Sequence, residues 1–266
     1  QTETETLFEV VHDLRRQGIS IIYISHRLGE VKELADRVTV FRDGENAGDL
    51  AKDEISHDAM VRLMVGRDLS EFYDRQIHHP GKVVLEVEQI CTPEHPNTDI
   101  SRKVHAGEIV GIAGLVGAGR TELLQTLFGV TPALSGTIRL NGETIRPQSP
   151  RDAIAAGMAL APEDRKHHGL VLPMTVRENA SLASIKRDQK NGLLNFSAEE
   201  AVAEEAIEQL QIKTPHLEQV ARFLSGGNQQ QIVLGKWLAL TPQLLMLDEP
   251  TRGIDVGAKR EIYRLM

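Results

Sequence analysis

Residues 114–124 read GLVGAGRTELL, with glycines at 114, 117 and 119, then Arg120, Thr121 and residues of helical type. The run before it, GEIVGIAG, reads as an apolar strand, so the turn is expected between a strand and a helix, the context that gives such a turn chemical meaning. Glycines let backbone N–H groups close on phosphate oxygens. The helix start adds the positive end of its dipole, and the Thr121 hydroxyl suits Mg²⁺. The stretch fits G-x-x-x-x-G-K-[ST] except that Arg120 stands in place of Lys. Lysine brings a compact charge to the β- and γ-phosphates, whereas arginine brings a planar fork, so binding is expected to survive the exchange better than catalysis. Taken alone, the stretch favours the phosphate loop over the alternative of an ordinary glycine-rich turn.

Two further stretches bear on the same chemistry. QLLMLDE at 243–249 is an apolar strand that ends in the acidic pair Asp248-Glu249. Beside a phosphate loop, the first carboxylate of such a pair suits Mg²⁺ and the second can polarise an attacking water; standing alone, the pair is a solvated strand end. RFLSGGNQQQIVLGKWLAL opens a helix with Ser225, Gly226 and Gly227. A hydroxyl and bare amides there point at whatever anion lies ahead, or form an ordinary Ser-Gly-Gly cap. Apolar strands alternating with helices predict an α/β fold with a mostly parallel core sheet.

Composition narrows the function classes. With 266 residues and 41% hydrophobic content, the chain can build one large or two small domains. Its longest nearly uncharged apolar stretch, IVGIAGLVGAG at 109–119, is too short and too glycine-rich to cross a bilayer, so any membrane association is expected to be peripheral. Thirty Lys+Arg against 38 Asp+Glu leave a net charge of -8, which argues against a nucleic-acid partner. The lone Cys91 excludes an intrachain disulfide and any multi-cysteine metal site, and fits a reducing compartment. The ten histidines show no ligand spacing, and His78-His79 and His167-His168 are expected to be exposed in loops.

Along the chain, TETETLFEVVHDLRRQG places Leu7, Val10, Val11 and Leu14 on one helical face, with Gly18 as the stop. ISIIYIS reads as a buried strand, RLGEVKELAD as a helix, and RVTVFRDGENAGDL as a hairpin around Asp43-Gly44. ISHDAMVRLMVG is a short amphipathic helix from Ser56 to Gly66. The polar stretch 67–82, with Pro80-Gly81 and no periodicity, is a linker. Beyond it come the strand VVLEVEQI, a hairpin in SGTIRLNGETI turning at Asn141-Gly142, and a helix in SAEEAVAEEAIEQL with Ser197 and Glu200 as a capping box. Laying Ile262 on Leu7 sets Tyr263 on Phe8, Leu265 on Val10 and Met266 on Val11. The chain opens at Gln1 and closes at Met266 inside helical patterns, which predicts one repeat period cut from a two-copy protein.

GxxGxGRT, LSGGN and LLMLDEP, in this order, resemble the motifs of ATP-binding cassette (ABC) ATPases. GAGRTELL, the EDRK..GL pattern at Glu163 to Leu170, LSGGNQQ and DEPTRGIDVGAK resemble the second cassette of the fused subunits of bacterial monosaccharide importers of the ribose, galactose, arabinose and xylose type. ISHR at 24–27 and DRVTVFRDG at 36–44 resemble the end of the first cassette, with His26 as its switch histidine; as a lone residue it reads as a strand-end histidine. The resemblance implies a P-loop fold with an antiparallel β subdomain and a helical subdomain carrying the signature. It divides the chain into 1–66 (end of the first cassette), 67–82 (linker) and 83–266 (most of the second).

It further implies ATP and Mg²⁺ held by Gly114, Gly117, Gly119, Arg120, Thr121, Glu122, Glu163 and Asp248, catalysis by Glu249 and His26, and a signature of Ser225, Gly226 and Gly227. The expected partners are a membrane-spanning sugar permease, indirectly a periplasmic sugar-binding protein, and a second copy of the subunit. The expected place is the cytoplasmic face of the bacterial inner membrane. A soluble twin-cassette ATPase acting on ribosomes or DNA, or a regulatory nucleotide-binding module without turnover, are the alternatives. The sequence departs from the cassette pattern in Glu163 for Gln, in Asn228 for the signature Gln, and in the lack of Phe, Tyr or Trp between 82 and 113.

Overall fold

A computed structural model describes every residue except 1, 2, 26, 43, 67–78 and 255. The chain divides into two compact units. The first begins with α1 (Glu3–Arg16), which Gly18 ends in the left-handed region, and α2 (Leu28–Leu34). An antiparallel hairpin of β1 (Arg37–Arg42) and β2 (Glu45–Ala51) follows, then α3 (His57–Val65), capped by Ser56 and closed by Gly66. Leu28, Val31, Ile55, Met60 and Val61 form its core, with Val38, Leu50 and Met64 packed against them.

The second unit opens with β3 (Val83–Cys91), β4 (Ile100–His105) and α4 (Arg120–Leu127). β5 (Ser135–Leu140) and β6 (Glu143–Ile145) complete an antiparallel sheet in the order β4-β3-β5-β6. Asn141 and Gly142 turn the last hairpin with positive φ at both residues, as an Asn-Gly pair permits. Next come α5 (Pro150–Ala155), β7 (Met158–Ala161), a π-helical turn Arg165–Gly169, α6 (Val176–Ser181), α7 (Ile185–Asp188) and α8 (Phe196–Leu210). The unit ends with α9 (Gly226–Leu238) and β8 (Leu244–Leu247). The last helix, α10 (Val256–Leu265), clusters through Arg264 with the first unit.

Helices α6, α8 and α9 pack on one another, and α9 is buried along nearly its whole length, from Gly227 to Trp237. The Phe128 ring, at the end of α4, meets Trp237 edge to face with centroids 5.6 Å apart, which joins the helix of the glycine turn to the helix opened by Ser225. Such a pair contributes about 1 kcal/mol beyond its buried area. Strands β7 and β8 run parallel, Met158 beside Leu244 through Ala161 beside Leu247. Their carboxyl ends therefore lie side by side, where parallel strands collect ligands.

Three local expectations are corrected. The runs 19–25 and 107–114 form no strand, and Ile22, Ile24, Ile109 and Ile112 are exposed. An apolar run of that kind becomes a strand only by pairing with a ladder partner, and among the described residues neither run has one. Helix α8 starts at Phe196 under Asn195, whose side chain accepts from Ala198 N, so Ser197 lies inside the first turn and is not the cap. His167 and His168 are exposed as expected, but in the π-helical turn. Asp43, His78 and most of the linker lie outside the described residues.

Candidate nucleotide site

The glycine turn delivers its chain to α4 as the motif requires. Gly119 caps the helix at φ +86°, and a Cβ there would sit 2.8 Å from the His95 ring. Only glycine combines that left-handed backbone with so close a neighbour. Arg120 and Thr121 then open the helix, with Glu122 in its first turn.

Helix α4 presents these residues to the end of β8. Arg120 Nη1 donates to Glu249 Oε1 at 3.0 Å, and the Thr121 hydroxyl hydrogen-bonds the buried Asp248. Burial raises the Asp248 pKa; the hydrogen bond from Thr121 and the charge of Arg120 lower it, and the charges of Glu249 and Glu122 raise it. The Asp248 carboxylate and the Thr121 hydroxyl bonded to it are hard oxygen donors of the kind Mg²⁺ takes, with the charges of Glu249 and Glu122 acting on Asp248. Among the described residues no three acidic, histidine or cysteine side chains gather closely enough to hold a metal by themselves. Glu249 holds φ +45°, a strained backbone for a non-glycine residue directly after the strand. The Arg120–Glu249 pair is partly exposed, worth about 0–1 kcal/mol, and so readily exchanged for a phosphate.

A second group gathers where β7 ends. Glu163 pairs with the Arg252 guanidinium. Arg165 donates to the Arg252 carbonyl at 2.8 Å and to the Gly253 carbonyl at 3.2 Å. Ser225 caps α9 by accepting from Asn228 N, as its sequence position predicts. Gly226 lies against Arg165 and the Gly253 carbonyl, while Gly227 is buried. Asn228 is engaged with Lys213 N at 2.9 Å. In α9, burial lowers the pKa of Lys236 to about 8, and its ammonium donates to the Gly169 carbonyl at 2.5 Å.

The predicted residues thus fall into two groups, Arg120, Thr121, Glu122, Asp248 and Glu249 in one, Glu163 and Gly226 in the other. Gly114 and Gly117 stand in the glycine turn ahead of α4, and His26 lies outside the described residues. Sequence reasoning missed His95, Arg165 and Arg252. Arg165 was visible within EDRK, but its partners are backbone carbonyls, which no residue type announces.

A glycine turn that opens a helix and faces an acidic strand end has the build of a P-loop nucleotide site, although here no strand leads into the turn. A profile of the ABC transporter family matches residues 97–252. The chain belongs to the ABC transporter family of ATP-binding proteins. It is 47% identical over 265 residues to the ribose import ATP-binding protein RbsA 2 of Escherichia coli O157:H7, covering 99% of this chain and 52% of that protein. It is 45% identical over 273 residues to the xylose import ATP-binding protein XylG of Photobacterium profundum, covering 100% of this chain and 54% of that protein. The chain therefore spans about half the length of these relatives. Among solved structures, a nucleotide-free ATP-binding cassette from an ABC transporter superposes with TM-score 0.56 at 23% identity, covering 69% of this chain and 75% of that one. At that identity the likeness establishes the fold.

Proposed function

We propose that the chain carries the end of the first cassette (1–66), a linker (67–82) and most of the second cassette (83–266) of an ATP-hydrolysing subunit that powers monosaccharide import across the bacterial inner membrane. The observation that carries the nucleotide chemistry is the pairing of Arg120 and Thr121 with Glu249 and Asp248. The sugar import reading rests on the likeness to RbsA and XylG.

In this reading the amides of Gly114, Gly117 and Gly119 cradle the phosphates of ATP. Arg120 leaves Glu249 for a phosphate oxygen, and Glu249, freed from its ion pair, accepts a proton from the attacking water. Thr121 and Asp248 would hold Mg²⁺, with Glu122 beside them. The ion supplies neutralisation of the charge that develops on the phosphates. The signature residues Ser225, Gly226 and Gly227 serve the ATP of the opposite cassette, whose switch histidine is His26. The motion reaches a membrane-spanning permease on its cytoplasmic side through the region of Glu163, and a periplasmic sugar-binding protein delivers the sugar. A second copy of the subunit completes the assembly, and nucleic acid has no part in it.

A second reading, a nucleotide-binding module without turnover, is favoured at this one site by Arg120, whose fork occupies the very carboxylate that hydrolysis needs. ATP-driven sugar uptake by the complete transporter separates the two. Gly226→Asp sets a carboxylate against phosphate at the intact site and is expected to abolish uptake, whereas Arg120→Ala costs less because its own site is already impaired. Equal damage from the two substitutions would refute this assignment.

A further inference from the structure

Three segments meet at one guanidinium. Arg165 stands just past β7, in the stretch that begins at Glu163. Its Nη1 and Nη2 donate to the carbonyls of Arg252 and Gly253, in the turn that follows the acidic pair. The same Nη2 would lie 2.6 Å from a Cβ on Gly226, and the Gly253 carbonyl 3.1 Å from it. Glu163 grips the side chain of Arg252 while Arg165 grips its backbone, so residues 163 and 165 hold the 252–253 turn at two points. The Arg165 Nε is buried without a hydrogen-bond partner, a cost that the site tolerates.

We propose that Arg165 is a positioning residue for hydrolysis. It locks the turn behind Asp248-Glu249 onto the first residue of the signature helix, and position 226 is glycine because the guanidinium passes over it. The proposal rests on the reading of the chain as an ATP-hydrolysing cassette. There the acidic pair serves one ATP and the signature serves the other, so the lock ties the two sites together within a single cassette. Glycine at 226 is then required by a neighbour inside the fold as well as by close approach to a phosphate.

The test is a double-mutant cycle on ATP turnover in the complete subunit, with Arg165→Ala, Gly226→Ala and both. A shared lock predicts that Arg165→Ala and Gly226→Ala each lower kcat about tenfold, with KM within about twofold, and that the double variant is no worse than the poorer single. Multiplicative losses, or a loss confined to KM, would overturn the proposal. Arg165→Lys keeps the charge without the fork and should recover part of kcat. A kcat that instead followed the thermal unfolding midpoint across all four variants would reduce the residue to a structural role and overturn it as well. Amide exchange on this 266-residue chain reads the lock without turnover. Arg165→Ala should speed exchange at Arg252 and Ile254, and unchanged exchange there contradicts the lock even if the subunit proves to hydrolyse no ATP.

Discussion

Burial and charge conflict most directly at Lys236. Its folded pKa of about 8 lies below the ordinary lysine value of 10.5, because burial disfavours the ammonium. Between those values the unfolded chain holds a proton that the folded chain has released, so stability rises with pH across that window. A urea midpoint that increases from about pH 7 to about pH 9.5 in the wild type and loses most of that increase in Lys236→Met is the expected outcome. An undiminished increase in the variant would assign the effect to other groups. At this scale the side chains of the proposed nucleotide site were legible, since Thr121, Asp248 and Glu249 follow from residue type and spacing. Lys236 and Arg165 were not, because each is defined by carbonyls that fold toward it from far along the chain, Gly169 in one case and Arg252 with Gly253 in the other.

Element boundaries follow local chemistry wherever a cap or turn decides them. Ser56, Gly66, Ser225 and the Asn141-Gly142 turn stand where the sequence puts them. Helix α8 shows the limit of such reading: Ser197 and Glu200 match a capping box, yet Asn195 two residues earlier supplies the oxygen. Asn195→Ala should destabilise the protein by about 1 kcal/mol, and Ser197→Ala by a few tenths at most, both read from denaturant midpoints. The reverse order would restore the boxed start. The runs 19–25 and 107–114 fail as strands for a different reason. Their residue types suit a buried parallel strand, but such a strand exists only through neighbours that its own sequence does not contain.

At the scale of the molecule, the α/β cassette fold was legible from three motifs in their order, because each needs its own secondary-structure context and the fold supplies the turn, the acidic strand end and the signature helix together. What no spacing revealed is that Arg120 is bound to Glu249, the residue that would activate water. The central claim is that residues 114–121 with Asp248 and Glu249 form a Mg²⁺-dependent ATP site impaired by its arginine. Equilibrium titration of the chain with ATP, with and without Mg²⁺, tests it most directly. The account predicts weak binding that requires Mg²⁺, a loss of about tenfold or more in Thr121→Ala, and tighter binding in Arg120→Lys with negligible turnover in each. ATP affinity indifferent to Mg²⁺ and unchanged by both substitutions would contradict it.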